Sequence, residues 1–151
     1  MKSLKVCLTI VSALFALNLY AQSKLDGDDQ YKPRIGQDGK DVVWVPTSNA
    51  LVTLMLQTAK VTPKDLVYDL GSGDGRIAIA AAKDFGARAV GIEFNPEMAQ
   101  LAQRNVDRSG LDDRVKIING DIFVEDFSKA TVVTMYLLPE LNLSLRPIIL
   151  K

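Results

Sequence analysis

Short apolar runs and stretches of helical spacing take turns along this chain. The runs Leu66 to Leu70, Ala89 to Ile92, Val115 to Ile118 and Thr131 to Leu137 predict four strands. Between them, Leu51, Leu54, Met55 and Ala59 recur at helical spacing, and Ile77 to Ala82 is apolar nearly all round, as in a helix packed on a sheet. Met98, Leu101, Ala102 and Val106 form the inner face of a third helix. The ends are punctuated. Thr47 or Ser48 can cap the first helix and Pro63 ends it, and Gly86 closes the second. Asn95-Pro96-Glu97 opens the third helix, which Gly110 ends, and Pro139 opens a short fourth that Pro147 interrupts. Val42 to Val45, ahead of the first helix, suits a short strand or a packed lead-in. Strands alternating with helices predict an α/β fold with a mostly parallel sheet.

The polar positions at the ends of these runs carry the chemistry. The first run stops in Gly71-Ser72-Gly73-Asp74-Gly75, and a helix-forming run from Arg76 to Phe85 follows directly. Strand, glycine turn and helix start let backbone amides approach a small ligand, since glycine tolerates positive φ and has no Cβ to hold it away. Asp69 stands two residues before the first glycine. A pyrophosphate dinucleotide usually meets G-x-G-x-x-G, and an acid inside that loop would repel its phosphates. A carboxylate here suits a ligand with a cationic end, and S-adenosylmethionine (SAM), with its ammonium and sulfonium, fits. Glu93 closes the second run one αβ unit later, where an acid can accept from both ribose hydroxyls, unless it is simply a solvated strand-end acid.

Asp69-Leu70-Gly71-Ser72-Gly73-Asp74-Gly75, together with Val90-Gly91-Ile92-Glu93 and Asn119-Gly120-Asp121, closely resembles the class I SAM-dependent methyltransferases, over roughly Val42 to the end. The resemblance implies a Rossmann-like, doubly wound sheet with SAM as methyl donor; the absence of histidine and the lone cysteine, Cys7, argue against a zinc or thiolate site, so no metal is expected. It implies cofactor contacts at Thr47, Asp69, Gly71, Ser72, Gly73, Gly75, Glu93, Phe94, Asp121 and Ile122. In such families the Pro-Thr segment folds over the methionine end, the acid at Asp121 lies beside the adenine amino group, and Ile122 or Phe123 packs near the ring. On the residues alone, Thr47 serves equally as a helix cap, and Asp121 as a turn aspartate.

Tyr136-Leu137-Leu138-Pro139-Glu140-Leu141-Asn142 occupies the place where this superfamily positions the reacting group of the substrate. No Asn/Asp-Pro-Pro-Tyr signature is present, which argues against methylation of an exocyclic base nitrogen. The segment resembles that of small lysine methyltransferases acting on chromatin or on an ATP-synthase subunit, with Val133 and Thr134 in place of the chromatin enzymes' asparagine pair. A protein lysine is therefore the expected acceptor. A small-molecule amine, or a nucleoside-binding module without activity, stands as the alternative. Tyr136 and Glu140 are the candidate positioning or proton-accepting groups; otherwise Tyr136 packs the ligand and Glu140 is a first-turn helix acid.

Composition narrows this picture. Lys plus Arg equals Asp plus Glu at 18 each, so no strong field draws the chain to nucleic acid or anionic lipid. Histidine is absent, which excludes Ser-His-Asp and Cys-His nucleophile systems. The single cysteine, Cys7, lies in a leader. That leader, residues 1–21, has Lys2 and Lys5 before an apolar stretch and Leu19-Tyr20-Ala21 before Gln22, which reads as an export signal. A buried helix or an uncleaved membrane anchor is the alternative, and export sits awkwardly with a cytosolic supply of SAM. Residues 22–41, polar and rich in Gly and Asp, read as a flexible linker; Asp26, Asp28 and Asp38 lack the spacing of a calcium loop. The methyltransferase domain is expected over 42–151, with four of the class's usual seven strands and the fourth as an open edge, which reads as a C-terminally truncated domain.

Overall fold

The computed structural model describes residues 31–151, and Pro33–Lys151 forms one compact unit. The leader read over 1–21 lies outside the described residues, as do residues 22–30 of the expected linker. Residues 33–41, also expected in the linker, fold with the domain: Asp38 and Val43 form an antiparallel bridge, and the Trp44 amide donates to the Gln37 carbonyl at 2.9 Å.

The elements follow the hydrophobic pattern closely. They are α1 (Asn49–Thr58), β1 (Leu66–Leu70), α2 (Arg76–Phe85), β2 (Arg88–Glu93), α3 (Pro96–Arg108), β3 (Val115–Asn119), β4 (Val132–Met135) and α4 (Pro139–Ile149). Ser48, rather than Thr47, caps α1, accepting from the Leu51 amide. Asn95 caps α3, accepting from the Glu97 and Met98 amides, and Pro96 supplies the first turn without leaving a donor idle. Two expectations shift. β4 is shorter than the apolar run at both ends: the Thr131 hydroxyl turns back to Asp65 at 2.8 Å and accepts from the Leu66 amide at 2.9 Å, and the pairing with β1 stops at Met135, opposite Leu70. α4 runs through Pro147 to Ile149; the proline forfeits one hydrogen bond in the last turn, where a helix frays anyway.

Among the described residues, four strands run parallel in the order β3-β2-β1-β4. Strand periodicity sorts their side chains onto two faces. Val67, Ala89, Val115, Ile117 and Val132 pack with Val52 and Leu56 of α1, the alanines of α2 and Val106 of α3. Tyr68, Leu70, Val90, Ile92, Val133 and Met135 pack with Phe127 and with Leu145 of α4. A sheet covered on both faces needs near-continuous apolar strands, which is what the sequence supplies. From β1 the chain proceeds to β2 on one side and returns as β4 on the other. Their carboxyl ends flank the switch point where doubly wound sheets open a crevice.

Candidate active site

A crevice opens at that switch point. The glycine turn forms its floor, with Gly71, Ser72 and Gly73 in the lining. Glu93, Phe94 and Asn95 line it after β2, Asp121 and Ile122 after β3, and Tyr136 and Leu137 after β4. Residues 37–47 run across it as a strap, with Lys40, Trp44 and Thr47 in the lining. Thr47 is only 5% exposed, and its carbonyl accepts from an Arg76 guanidinium nitrogen at 2.7 Å. Arg76 is itself paired with Asp74, so the start of α2 anchors the foot of the strap.

The turn needs glycine. Gly71 and Gly73 have φ of 77° and 57°, and a Cβ on Gly73 would lie 2.7 Å from the Trp44 indole nitrogen. Its glycine and serine amides are engaged. Those of Gly71 and Ser72 donate to the Ile92 carbonyl at 3.0 and 2.9 Å, that of Gly73 to Glu93 at 2.8 Å, and that of Gly75 to the Ser72 carbonyl at 2.9 Å. The expectation that these amides face a ligand is therefore corrected. What the turn offers is close backbone approach, with its glycine donors spent inside the fold.

The acids divide into two classes. The two Glu93 oxygens accept from the Gly73 and Asn95 amides, at 2.8 and 2.9 Å, and each keeps a further acceptor site. Burial raises its pKa above the ordinary range for glutamate, against the pull of those backbone donors. Asp121 receives Lys40 Nζ on one oxygen at 2.6 Å and the Phe123 amide on the other at 2.9 Å, and these two, Lys40 foremost, hold its carboxyl below the usual range. Asp69 is different. It is 1% exposed and does not line the crevice; its oxygens accept from the Ser72 and Thr134 hydroxyls, both at 2.9 Å. Burial pushes its carboxyl up to about 6 despite those two donors. The cause is parity: Asp69 shares the face of Val67, beneath the turn, and is in register with Thr134 on β4 and Gly91 on β2. Gly91 leaves the space that Ser72 fills, since a Cβ there would overlap the Ser72 side chain.

Two more expected site residues stand apart from the crevice. Gly75, with φ of 83°, faces α3, where its Cβ would meet that of Ala102 at 3.2 Å. It is a packing glycine. Glu140 sits in the exposed first turn of α4, outside the lining, as an ordinary helix acid. Thr47, Gly71, Ser72, Gly73, Glu93, Phe94, Asp121, Ile122 and Tyr136 all meet in the crevice. Sequence reasoning missed Lys40, Trp44 and Arg76, whose contacts span distances that no local pattern encodes.

Residues 69–151 match the family described as the ANTKMT methyltransferase domain. The chain belongs to that methyltransferase family. It is 50% identical over 107 residues to a protein-lysine N-methyltransferase of Saccharolobus islandicus, covering 70% of this chain and 66% of that protein. It is 33% identical over 98 residues to a Xenopus laevis lysine N-methyltransferase named for an ATP synthase subunit, covering 65% of this chain and 42% of that one. The chain thus spans two thirds or less of the length of these curated relatives. Among solved structures, an RNA methyltransferase from Salinibacter ruber in complex with S-adenosyl-L-homocysteine superposes with a TM-score of 0.69 and 51% identity, covering 70% of this chain and 69% of that one. The parallel sheet with helices on both faces is thus the Rossmann-like methyltransferase fold.

Proposed function

We propose that the crevice holds SAM and that the chain acts as an N-methyltransferase toward a lysine side chain of a protein. The donor inventory of the crevice carries this reading. The amides of residues 71, 72, 73 and 75 are used internally, while the carboxylates of Glu93 and Asp121 line the opening. That lining offers a pyrophosphate no glycine amide and repels its charge, but it accepts from hydroxyls, amines and ammonium groups. A nucleoside with a cationic tail has those donors, so the residues fit SAM and disfavour a dinucleotide.

When bound, SAM supplies an electrophilic methyl carbon with a neutral thioether as leaving group. The chain's own residues bind and align. Glu93 accepts from the ribose hydroxyls at the acceptor sites its two amide bonds leave open. Asp121 accepts from the adenine amino group, and Phe94 and Ile122 pack against the ring. Asp69 acts one step back, holding Ser72 and β4 in register as a positioning residue. Thr47 and Trp44 close over the cationic end from the strap. Tyr136 and Leu137 wall the place where the acceptor amine enters. A free lysine has a pKa of about 10.4, and the apolar wall of Leu137 and Leu141 favours its neutral form by desolvation.

A protein acceptor is supported by the lysine methyltransferases among the relatives and by the balance of 18 basic against 18 acidic residues, which gives no field for RNA. The Salinibacter ruber structure, described as an RNA methyltransferase, makes RNA the competitor to test. Incubation of the chain with methyl-labelled SAM and separate protein, RNA and small-amine fractions decides it. Label in protein, recovered as methyl-lysine by mass spectrometry, is the expected result; label in RNA alone, or no SAM binding by calorimetry, overturns it. Among the described residues no helix is long and apolar enough to cross a membrane. Export through residues 1–21 belongs to the same proposal, and amino-terminal sequencing of the exported fraction, starting at Gln22, checks it.

A further inference from the structure

The strap puts a cation where the base of the nucleoside belongs. The Gly36 amide donates to the Trp44 carbonyl at 2.8 Å, the Trp44 amide to Gln37 at 2.9 Å and the Gly39 amide to Val42 at 3.0 Å. Lys40 therefore stands at the tip of a closed turn. Its Nζ lies 2.6 Å from Asp121 Oδ2 and 4.8 Å from the centroid of the Phe94 ring. These are the two groups assigned above to the adenine, one to its amino group and one to its face. Asp121 Oδ1 already accepts the Phe123 amide, so Oδ2 is the oxygen left for a ligand, and Lys40 holds it.

We propose that Lys40 is a latch that competes with the adenine for Asp121 Oδ2 and the Phe94 ring, so that the strap sets the apparent affinity for SAM. The inference rests on the SAM reading of the crevice. An ammonium over an aromatic face gains from the ring quadrupole, and a carboxylate beside it adds direct charge pairing. Both side chains keep solvent contact, at 37% and 25% exposure, so the pair opens readily and is screened by salt. Asp41, at 3.9 Å from Nζ, offers the released ammonium a second carboxylate on the strap itself. A site whose competent form is only partly populated binds with its affinity reduced by that fraction.

Titration calorimetry of the full chain with SAM, and separately with adenosine, tests this on wild type, Lys40→Met and Lys40→Arg. Methionine keeps the length of the stem without the charge, and the position is exposed, so folding is not at stake. Lys40→Met is expected to tighten both ligands about two- to fivefold. Lys40→Arg, which can still pair with Asp121, stays near wild type. The ratio between wild type and Lys40→Met shrinks as salt rises, because screening opens the latch. Equal or weaker binding by Lys40→Met, or a gain for SAM without one for adenosine, overturns the latch while leaving the SAM site standing. If neither wild type nor Lys40→Met binds SAM, the reading beneath it fails and the latch goes with it.

Discussion

Beneath the glycine turn that floors the crevice, Asp69, Ser72 and Thr134 are buried and satisfy one another; across its mouth, Lys40 and Asp121 meet in a pair open to solvent. The floor is built of contacts that water cannot reach, so each is costly to disturb and gives the turn a single geometry. The strap is tied by a few hydrogen bonds, one ion pair at its tip and Arg76 at its foot, all of which compete with water. A site that must both hold a nucleoside in register and let it enter needs both kinds. Rigid contacts define where the ligand sits, and exchangeable ones decide when.

The sharpest way to break the contrast is to titrate the floor. Asp69 titrates near 6 in the fold because burial disfavours its charge, above the 3.8 of an unperturbed aspartate. Its folded form therefore holds the proton more tightly than the unfolded chain does. The associated stability is fully present below about pH 4 and is lost as pH rises through 6, a change of about 3 kcal/mol. Burial also raises Glu93, which adds a slope of the same sign. Asp69→Asn keeps an acceptor without the charge, so chemical unfolding between pH 4 and 7 should show a much flatter profile than wild type. A wild-type profile that is already flat would mean that Asp69 is better solvated than its surroundings indicate.

Next in size is the rim acid. Glu93→Gln keeps the shape but replaces one oxygen with a donor that faces the Gly73 or Asn95 amide and loses a charged acceptor for hydroxyls. Hydrogen bonds to charged groups are the stronger class, so SAM affinity should fall about tenfold to a hundredfold by calorimetry. Stability should change little, since the substitution also removes a half-buried charge. An unchanged SAM affinity would remove Glu93 from the cofactor site.

The floor was far more legible from sequence than the strap. The segment 66–93 reads as strand, glycine turn, helix and strand because each step is local: apolar runs, Gly71 to Gly75, and Gly86 past the helix. Even the burial of Asp69 was available, since period-two alternation puts it on the face of Val67 and opposite to Tyr68. What no local pattern gives is the partner, because Thr134 lies 65 positions away and is brought alongside by the parallel register of β4. The strap shows the same limit more severely. Gln37-Asp38-Gly39-Lys40 has the composition of a linker, and its order comes from Asp121, 81 positions on, and from the bare Cα of Gly73 beneath Trp44.

That last contact joins the two regions and allows a cycle. Alanine at Gly73 must adopt φ near 57° and must push its Cβ against the Trp44 indole at 2.7 Å. The left-handed backbone alone costs about 1–2 kcal/mol, and the clash adds to it unless the ring moves. Unfolding of Gly73→Ala, Trp44→Ala and the double variant should show that Gly73→Ala costs less when Trp44 is already gone, by about 0.5 kcal/mol or more. Strict additivity would mean that the strap yields freely and does not rest on the floor.

The smallest expected effect tests where the strap is fastened. Arg76 pairs with Asp74 and donates to the Thr47 carbonyl, at the seam between the start of α2 and the foot of the strap. Arg76 and Asp74 are partly exposed, so after allowance for solvent the loss in Arg76→Gln should stay below about 1 kcal/mol in chemical unfolding. The informative readout is local. Hydrogen exchange at Gly36 and Trp44, whose amides hold the strap closed, should quicken in the variant. At Gly71 and Ser72, whose amides bond the Ile92 carbonyl behind the turn, it should stay slow. Strap amides that keep their protection would place the hold on the strap at Lys40 and Asp121 instead, whereas faster exchange at Gly71 would mean that α2's first turn and the floor open together.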